Sequence, residues 1–458
     1  MVVQHNMQAA NANRMLNVTT SAQSKSTEKL SSGYRINRAA DDAAGLTISE
    51  KMRKQIRGLD QASTNAEDGV SSVQTAEGAL TEVHSMLQRM NELATQAANG
   101  TNSKDSDRQA IQDEIDQLTT EIDRVSETTK FNETYLLKGD KGATKNVYMN
   151  GHDAGLKGTL TDSAKSATFV MDELKAGDKV TIAGKEYSIG STADEAKASY
   201  ANAAAGDKVT IDGTEYTVVA ATGTEDADNN ELKVTSLDGK VKDGSVVSYK
   251  TSKLTVMTDK NNDGVDDDDS SVISKDVAEG KILSELTAAN NIGTVDQAAT
   301  VAKAAANGKT TYTITKGYAT VADTLSFNLH VGADADMTNK INVSIDSMDS
   351  ASLGIKGLNI KDDSGNAATY AVDAISDAIS KVSSQRSSLG AVQNRLEHTI
   401  NNLDNVVENT TTAESRIRDT DMAEEMVNYS KNNILAQAGQ SMLAQANQSN
   451  QGVLTLLQ

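Results

Sequence analysis

The chain has 458 residues, a formal net charge of −20 and no Pro, Cys or Trp. Its length exceeds one ordinary domain, and the missing Cys exclude disulfides, thiolate nucleophiles and Cys-based metal sites. The acidic charge argues against nucleic acid or an anionic membrane as the main partner, and the missing Pro suits long helices.

The N-terminal region predicts two helices joined by a charged loop. The first runs from about residue 3 to 32, and Gly33 suits its C-terminus. A second helix follows the loop 34–42 and runs from about 43 to 98. The residues 1–6 have no basic stretch before an apolar core, so they do not predict a cleavable signal, and no run is apolar enough to span a bilayer.

Two apolar stripes with the 3,4 spacing of a coiled coil lie near opposite ends of the chain. Each stripe is narrow, so it must be buried against another helix, and the two are predicted to pair within one chain. The N-terminal stripe contains Ala76, Leu80, Val83, Leu87, Met90, Ala94 and Ala97. The C-terminal stripe contains Val372, Ile375, Ile379, Val382, Arg386, Leu389, Gln393, Leu396, Ile400, Leu403, Val407 and Thr410.

Polar residues interrupt the second stripe. Arg386 either extends to the edge of the seam or fixes its register and allows neighbouring subunits to slide. The first interpretation is favoured for Gln393. A further helix carries Ile111, Ile115, Leu118, Ile122 and Val125 at the same spacing.

The helices at the two ends carry weaker stripes. Ala9, Ala12 and Leu16 begin the N-terminal one, and polar residues continue it, so that helix is too polar to be stable alone. The last helix, about 419–456, carries Met422, Met426, Tyr429, Leu435, Ala438, Met442 and Ala446. A chain with such ends is built to assemble.

The middle of the chain, from about 140 to 345, predicts β structure. Residues 311–315 and 341–345 alternate like strands. Residues 176–187 recur as 205–216, and each copy predicts a hairpin, which turns at Ala-Gly-Lys or Asp-Gly-Thr. Two copies indicate a duplicated module, since a solenoid needs more.

One loop in this region resembles half of a calcium site. Asp259, Asn261 and Asp263 place oxygen ligands at alternate positions before Gly264. The closing position is Ser270 instead of Glu, so an acidic surface turn is the alternative. The five His are scattered, and no motif points to a catalytic site, so we expect neither enzyme activity nor a cofactor.

Several motifs resemble those of bacterial flagellin. They are residues 30–37 (LSSGYRIN), 39–46 (AADDAAGL), 325–333 (LSFNLHVGA), 388–396 (SLGAVQNRL) and 453–458 (VLTLLQ). The resemblance covers roughly the first 140 and the last 130 residues, and in this family the middle varies freely.

The pattern and the resemblance together predict an α+β fold, with a long α-helical coiled-coil core from both termini and a β-rich inserted outer region. The resemblance implies these segments: an N-terminal filament-core helix and loop (1–42), coiled-coil helices (43–140), a variable β-rich outer region (141–324), a returning β segment (325–370), a C-terminal coiled-coil helix (371–412) and a C-terminal filament-core helix (413–458).

The implied function is that of a structural subunit, which polymerises into the extracellular flagellar filament for swimming and is exported without a cleavable signal. Implied partners are other copies, the export apparatus and its chaperone, and the cap and hook-associated proteins. Nucleic acid binding and membrane insertion are not expected. A hook–filament junction protein or a surface adhesin that uses the insertion are the alternatives.

The resemblance also implies that the free monomer binds the flagellin-sensing Toll-like receptor. The residues that match the segment read by that receptor are Leu87, Gln88, Arg89, Glu92, Leu93 and Glu114. A compatible interpretation places Leu87 in the seam and pairs Arg89 with Glu92 in solvent. Because Arg89 lies off the seam, we expect it to reach a carboxylate of an adjacent subunit or a receptor.

Overall fold

The computed structural model describes residues 6–103, 106–362 and 364–456, without the side chains of Lys141 and 450–456. The helices are α1 (Met7–Ser32), α2 (Ala43–Ala97), α3 (Asp107–Thr128), α4 (Ala193–Tyr200), α5 (Val234–Leu237), α6 (Lys275–Asn290), α7 (Ser350–Leu353), α8 (Asn366–Arg418) and α9 (Met422–Leu456). A 3-10 turn covers Met337–Asn339.

The strands all lie between α3 and α7. They are β1 (Lys130–Phe131), β2 (Thr134–Tyr135), β3 (Asp140–Tyr148), β4 (Thr159–Asp162), β5 (Ser166–Asp172), β6 (Lys179–Ile182), β7 (Lys185–Ile189), β8 (Lys208–Ile211), β9 (Thr214–Val218), β10 (Glu231–Leu232), β11 (Val246–Tyr249), β12 (Ser252–Thr255), β13 (Val272–Ile273), β14 (Thr300–Ala306), β15 (Lys309–Thr315), β16 (Tyr318–Asp323), β17 (Leu325–His330) and β18 (Lys340–Ile345).

Most predicted elements are confirmed, and their ends move by a few residues. The strands predicted at 311–315 and 341–345 are β15 and β18. Gly33 closes α1 with a φ of 78° and donates its N–H to the carbonyl of Lys29. The predicted helix start near residue 3 and the end of the 453–458 motif lie outside the described residues.

The chain divides into two compact units. The first contains the described parts of 1–72, 327–343 and 391–458, and the second contains 73–326 and 344–390. In the first unit, the early part of α2 runs antiparallel to the late part of α8: Arg418 bonds Glu50 at 2.6 Å and Ser63 bonds Asp404 at 3.2 Å. A small core of Ala66, Val331, Ile341 and Leu396 fills the space between these helices and the β17–β18 ribbon.

In the second unit, the predicted N-terminal stripe is fully buried from Ala76 to Ala97. On α8, Ile375, Val382 and Leu389 are fully buried, whereas Ile379 is only partly buried. Further up this helix Ala368, Ala371, Ala374 and Ala378 are buried as well, so the apolar face there is wider than the predicted seam. The face is wider because this part of α8 also packs against the insertion. Tyr370 belongs to the apolar core of the insertion's β sheets.

Arg108 holds together the ends of three helices in the second unit. Its side chain is fully buried, and its guanidinium donates to the carbonyls of Ala97 (2.9 Å), Asp362 (2.6 Å) and Asn99 (3.4 Å). Gly365 lies so close that a Cβ there would stand 2.8 Å from Arg108 Nη2. The cation thus supplies donors to carbonyls at the end of α2 that have no partner within the helix, and it fixes the approach to α8.

The insertion contains three copies of one loop-and-hairpin motif, not the two that the sequence predicts. In each copy a glycine with φ between 84° and 94° donates its N–H to a carbonyl at the end of the hairpin: Gly177 to Ile189, Gly206 to Val218, and Gly244 to Val256, the residue after β12. The residue before the first strand accepts an N–H three positions upstream: Asp178 from Lys175, Asp207 from Ala204, and Ser245 from Lys242. The third copy escapes sequence comparison because Ser245 replaces the Asp and the strand reads VVSY instead of KVTI.

The second and third of these hairpins belong to a separate module. In the chain, this module is inserted between β7 and β13, which pair in the sheet of the first hairpin. The five-stranded sheet β10–β9–β8–β11–β12 has its own apolar core, whose buried residues all lie between Ala196 and Val256. The chain enters and leaves this module side by side, since Ser191 N–H donates to Thr255 and Met257 N–H donates to Ser191. The other core of the insertion takes its buried residues from both sides of the module and none from within it.

We expect Arg108→Met to lower the free energy of unfolding of the second unit by about 3 kcal/mol, because it leaves buried carbonyls without donors. Chemical denaturation of the monomer measures the change. Arg124→Ala, which removes an exposed pair with Glu121 on α3, is the control and should leave the midpoint unchanged. Equal midpoints for both variants would show that Arg108 is not a structural clamp.

We expect residues 192–255 to be removable. Joining Ser191 to Val256 through a short Gly/Ser linker should leave the rest of the insertion folded, because its core contains none of the deleted residues. Circular dichroism and the melting curve of the shortened chain measure this. Aggregation, or loss of the β signal beyond the deleted strands, would mean that the two cores fold only together.

Candidate assembly interface

The helices α1 and α9 pair antiparallel within the first unit. Lys29 lies 3.7 Å from Glu425 at one end, and Asn6 donates to the carbonyl of Ala446 at 3.2 Å at the other. Between these two contacts, Leu16 packs over Gly439, and a Cβ on Gly439 would lie 3.4 Å from Cδ1 of Leu16. The predicted stripe of α1 faces α9: Ala9, Ala12, Leu16, Thr19 and Gln23 are partly buried and Ser26 is buried.

The predicted stripe of α9, in contrast, mostly faces away from α1. Met422, Met426, Leu435, Ala438 and Met442 are exposed, as we expect of a stripe that only assembly would bury, whereas Ala446 of the same stripe is partly buried. The pair with α1 uses another face, on which Glu425, Gly439 and Ala446 make the contacts above and Ala436 is buried. Small residues on that face let the helices approach closely, so the larger apolar side chains remain on the outside.

Among the described side chains of the two helices, nine large apolar ones are therefore 47 to 73% exposed. They are Met7, Met15, Val18, Met422, Met426, Val427, Ile434, Leu435 and Met442, and we call them the terminal patch. Sequence reasoning missed Met7, Met15, Val18, Val427 and Ile434, because it followed one stripe per helix. The sequence does show that apolar residues also lie off both stripes, and this pattern could have identified these five residues. A patch of this kind marks a surface that binds another protein.

The loop after α1 is joined to the link between α8 and α9. Tyr34 and Asp419 form an antiparallel bridge, Arg35 N–H donates to Arg418, and Thr420 N–H donates to Gly33. The guanidinium of Arg418 lies 4.9 Å from the centre of the Tyr34 ring. These contacts give the 30–37 motif a physical role, since it sets where α1 ends and where α9 begins.

The 39–46 motif caps α2. Asp42 accepts the N–H groups of Ala44 and Gly45, and a Cβ on Gly45 would lie 2.5 Å from that carboxylate and 2.8 Å from Ile36. Only glycine fits there without displacing the cap. The neighbouring Asp41 accepts the N–H groups of Arg38 and Asn37, and these hydrogen bonds, the one from Arg38 first, lower its pKa.

The six receptor candidates separate into two groups. Leu87 and Leu93 are buried within the subunit in this conformation, which for Leu87 matches its predicted place in the seam, and receptor contact stays a prediction. The other four, Gln88, Arg89, Glu92 and Glu114, are exposed on α2 and α3. Sequence spacing could not separate them, because Leu93 is buried by its neighbours in the fold although it lies off the predicted stripe.

Arg89 is bound to carboxylates of its own chain. Its Nε donates to Glu114 at 2.9 Å and its Nη1 to Glu92 at 3.2 Å, and both hydrogen bonds, the one to Glu114 first, raise the pKa of Arg89. The i,i+3 pair with Glu92 matches the sequence interpretation. The carboxylate that we expected from an adjacent subunit is instead Glu114 of α3, although the side chain stays half exposed.

The polar seam residues bond to carboxylates. Arg386 Nη2 lies 3.3 Å from Glu77 on α2, so it crosses the seam at its edge. Gln393 donates to Glu397, one turn along the same helix. The contact of Arg386 with α2 is compatible with a role in fixing register.

The Asp259 loop is closed by its own hydrogen bonds. Asp259 accepts the N–H groups of Asp263 and Gly264, and Asn261 also accepts from Asp263. The side chain of Asp263 accepts from Val265. Within the described residues no three His, Cys, Asp or Glu side chains come together as a metal site. Calcium binding stays a prediction from the sequence.

Comparison with known proteins explains this arrangement. Residues 3–142 match the model of the bacterial flagellin N-terminal helical region, and residues 372–457 match that of the C-terminal helical region. A flagellin of Clostridium tyrobutyricum is 40% identical over 98% of this chain and all of its own length. The chain belongs to the bacterial flagellin family. A flagellin of Bacillus subtilis is 36% identical over the full length of both chains.

Two solved structures also match. FliC from Burkholderia pseudomallei has a TM-score of 0.29 at 17% identity and covers 71% of this chain and 99% of its own. Flagellar hook associated protein-3 from Legionella pneumophila has a TM-score of 0.34 at 15% identity, with coverages of 80% and 98%.

Family membership makes this flagellin a structural subunit of the flagellar filament, in a family of structural proteins and not of enzymes. It also confirms the predicted α+β organisation of helical ends around a β-rich middle. None of the described helices is apolar over enough of its length to cross a bilayer.

We expect Arg89→Ala to leave the helicity of the monomer unchanged, because its pairs with Glu92 and Glu114 are solvated. It should lower the melting temperature of the filament if Arg89 also contacts a neighbouring subunit. Circular dichroism of the monomer and thermal depolymerisation of the filament measure the two effects. Arg124→Ala is the matched control, since it breaks a similar exposed pair on α3. If both variants leave the filament equally stable, Arg89 acts only within its own subunit.

Proposed function

We propose that this flagellin polymerises through the terminal patch and that the filament drives swimming. The observation that carries the proposal is the exposure of nine large apolar side chains on α1 and α9, while α1 buries only Ser26 within the chain. Burying such a side chain contributes about 1.5 to 3 kcal/mol. Contacts between copies therefore supply the free energy that the helix pair does not find within one chain.

The same weakness suits export. Because the intrachain pairing of α1 and α9 buries so little, we infer that both helices are disordered in the free monomer and become ordered on assembly. A disordered end can pass through a narrow channel, and an export chaperone would cover the exposed methionines and isoleucine until then. This supports an extracellular location that is reached through the flagellar export apparatus, and assembly next to the cap and hook-associated proteins.

We also propose that the free monomer is recognised by the flagellin-sensing Toll-like receptor. The surface that supports this is formed by Gln88, Arg89, Glu92 and Glu114, which the second unit presents on α2 and α3. A receptor that contacts Arg89 competes with its bonds to Glu92 and Glu114. A cell reporter assay with Arg89→Ala and the Arg124→Ala control tests it, and equal responses to both would exclude this surface.

A hook–filament junction protein shares helical ends and is separated by seeded growth: purified monomer of a filament subunit extends filament seeds, while a junction protein stops after one layer. The adhesin alternative has less support. Among the described residues of the 141–324 insertion, Val295 alone is an exposed large apolar side chain, so the insertion presents no apolar surface comparable to the terminal patch.

We expect Ile434→Gln combined with Met442→Gln to raise the critical concentration for polymerisation about tenfold per residue, since each loses an apolar contact of about 1.4 kcal/mol. The combination of Val295→Gln and Met337→Gln changes equally exposed residues outside the two helices and should have little effect. Sedimentation of filaments grown from seeds measures both.

A chain truncated before Asp419 should not polymerise at all but stay soluble and helical. Filaments from that chain would contradict the proposal.

A further inference from the structure

A polar cavity of about 430 Å³ lies within the second unit and is not part of the terminal patch. Its wall is made by β3, by the segment from Ser344 to Leu353 and by one face of α8. The residues with charges or hydroxyl groups that matter are Lys145, Asp346, Ser352, Lys381, Ser384 and Ser388. A cavity of this volume accommodates a small ligand.

One cation of the cavity is already neutralised. Lys145 Nζ lies 2.6 Å from Asp346 and 2.7 Å from Thr324, which itself donates to the same carboxylate. Burial on its own would raise the pKa of Asp346, but the hydrogen bonds from Lys145 and Thr324 outweigh it, and the pKa is lowered. This carboxylate is thus ionised and matched to one lysine, which leaves the second lysine of the cavity in excess.

Lys381 is that second lysine. Its ammonium has one protein acceptor among the described residues, the carbonyl of Ser352 at 3.3 Å, and no carboxylate of that part of the chain lies within 4.0 Å of it. Burial lowers its pKa; Asp377, one turn away on α8, opposes this, and Lys316 adds to it. Lys316 is itself paired with Asp162 at 2.7 Å. Lys381 is partly buried, and an ammonium that can donate three hydrogen bonds is costly to desolvate with only one acceptor.

Two hydroxyl groups lie on the same face of α8 as this ammonium. Ser384 and Ser388 follow Lys381 at positions i+3 and i+7, and both line the cavity. Both serines are exposed, so their hydroxyls are open to a ligand from solvent, and no other described residue is hydrogen-bonded to either hydroxyl. The nearby side-chain amide of Gln385 is occupied. Its Nε2 donates to the carbonyl of Ser344, and its Oε1 accepts the backbone N–H of Asp346.

We propose that this cavity binds an oxyanion, a carboxylate or phosphate group, between the ammonium of Lys381 and the hydroxyls of Ser384 and Ser388. The group supplies the acceptors that Lys381 lacks, and it is attracted by the one unmatched positive charge of the cavity in a chain whose net charge is −20. It can come from a small acid in solution or from an Asp or Glu side chain of a neighbouring subunit in the filament.

The first experiment uses full-length monomer and the probes phosphate and citrate, with chloride at the same ionic strength as reference. Acylation of lysines by acetic anhydride is followed by mass spectrometry. At a probe concentration ten times its dissociation constant, Lys381 should be acylated about tenfold more slowly, and the melting temperature should rise by about 2 °C. The exposed Lys356 is the internal control and should react at an unchanged rate.

The variant Lys381→Met separates a binding role from a structural one. It removes a partly buried cation that has no carboxylate partner, so the monomer should be at least as stable in chloride, and the effect of phosphate and citrate on melting should disappear. The matched change Lys356→Met should preserve that effect. A monomer that Lys381→Met destabilises, and whose melting never responded to either probe, would overturn the proposal.

The second source is tested with filaments in buffer without phosphate or citrate. If a neighbouring carboxylate occupies the cavity, Lys381 is protected in the filament, and Lys381→Met lowers the melting temperature of the filament because that carboxylate loses its partner. Protection with no effect of the variant indicates burial alone and excludes this source. If Lys381 reacts equally with and without the probes, in the monomer and in the filament, no oxyanion binds and the proposal is wrong.

Discussion

The apolar stripe that α2 and α8 bury between them, in each of the two units, is the constraint on which the other features depend. Because the helices run antiparallel, the start of one and the end of the other come together, and the loop at Tyr34 can bridge to Asp419. At their other ends, Arg108 joins α2, α3 and the approach to α8. The seam thus fixes where α1 ends and α9 begins in the first unit, and where the insertion must start and finish in the second.

Sequence reasoning predicted what depends on local spacing and failed where a choice between faces was needed. The stripe on α2 and the two hairpins with Gly at the turn follow from periods that are visible in the residues themselves. The face of α9 does not, because Met422 and Ala436 both suit a helix contact, and only the fold shows that the small residue packs on α1 and the large one stays outside. The third hairpin was missed because its backbone hydrogen bonds survive a Ser in place of Asp. The burial of Arg108 could not be predicted, because the sequence of a polar helix does not distinguish a buried arginine from an exposed one.

The apolar surface of this flagellin is distributed unevenly. Among the side chains that the structure describes, the two terminal helices expose nine large apolar ones, whereas the β-rich insertion buries its apolar residues in interior cores. If subunits assemble through the terminal patch, as proposed above, then adhesion between subunits and folding within a subunit use different residues, and a change in one need not disturb the other. The cavity around Lys381 follows a different pattern, since it is polar, internal to the second unit and enclosed in part by α8 itself.

The adjacent entry and exit of the nested module have a consequence for how such a chain can change over time. A segment whose two ends lie side by side at Ser191 and Met257 can be exchanged for any foreign domain with neighbouring termini, without lengthening the path of the surrounding backbone. Grafting at this point adds mass and new surface chemistry while it leaves the hydrogen bonds of the host strands in place. Repetition of the subunit along a polymer would then display the grafted domain at a regular spacing, as a lattice of identical groups.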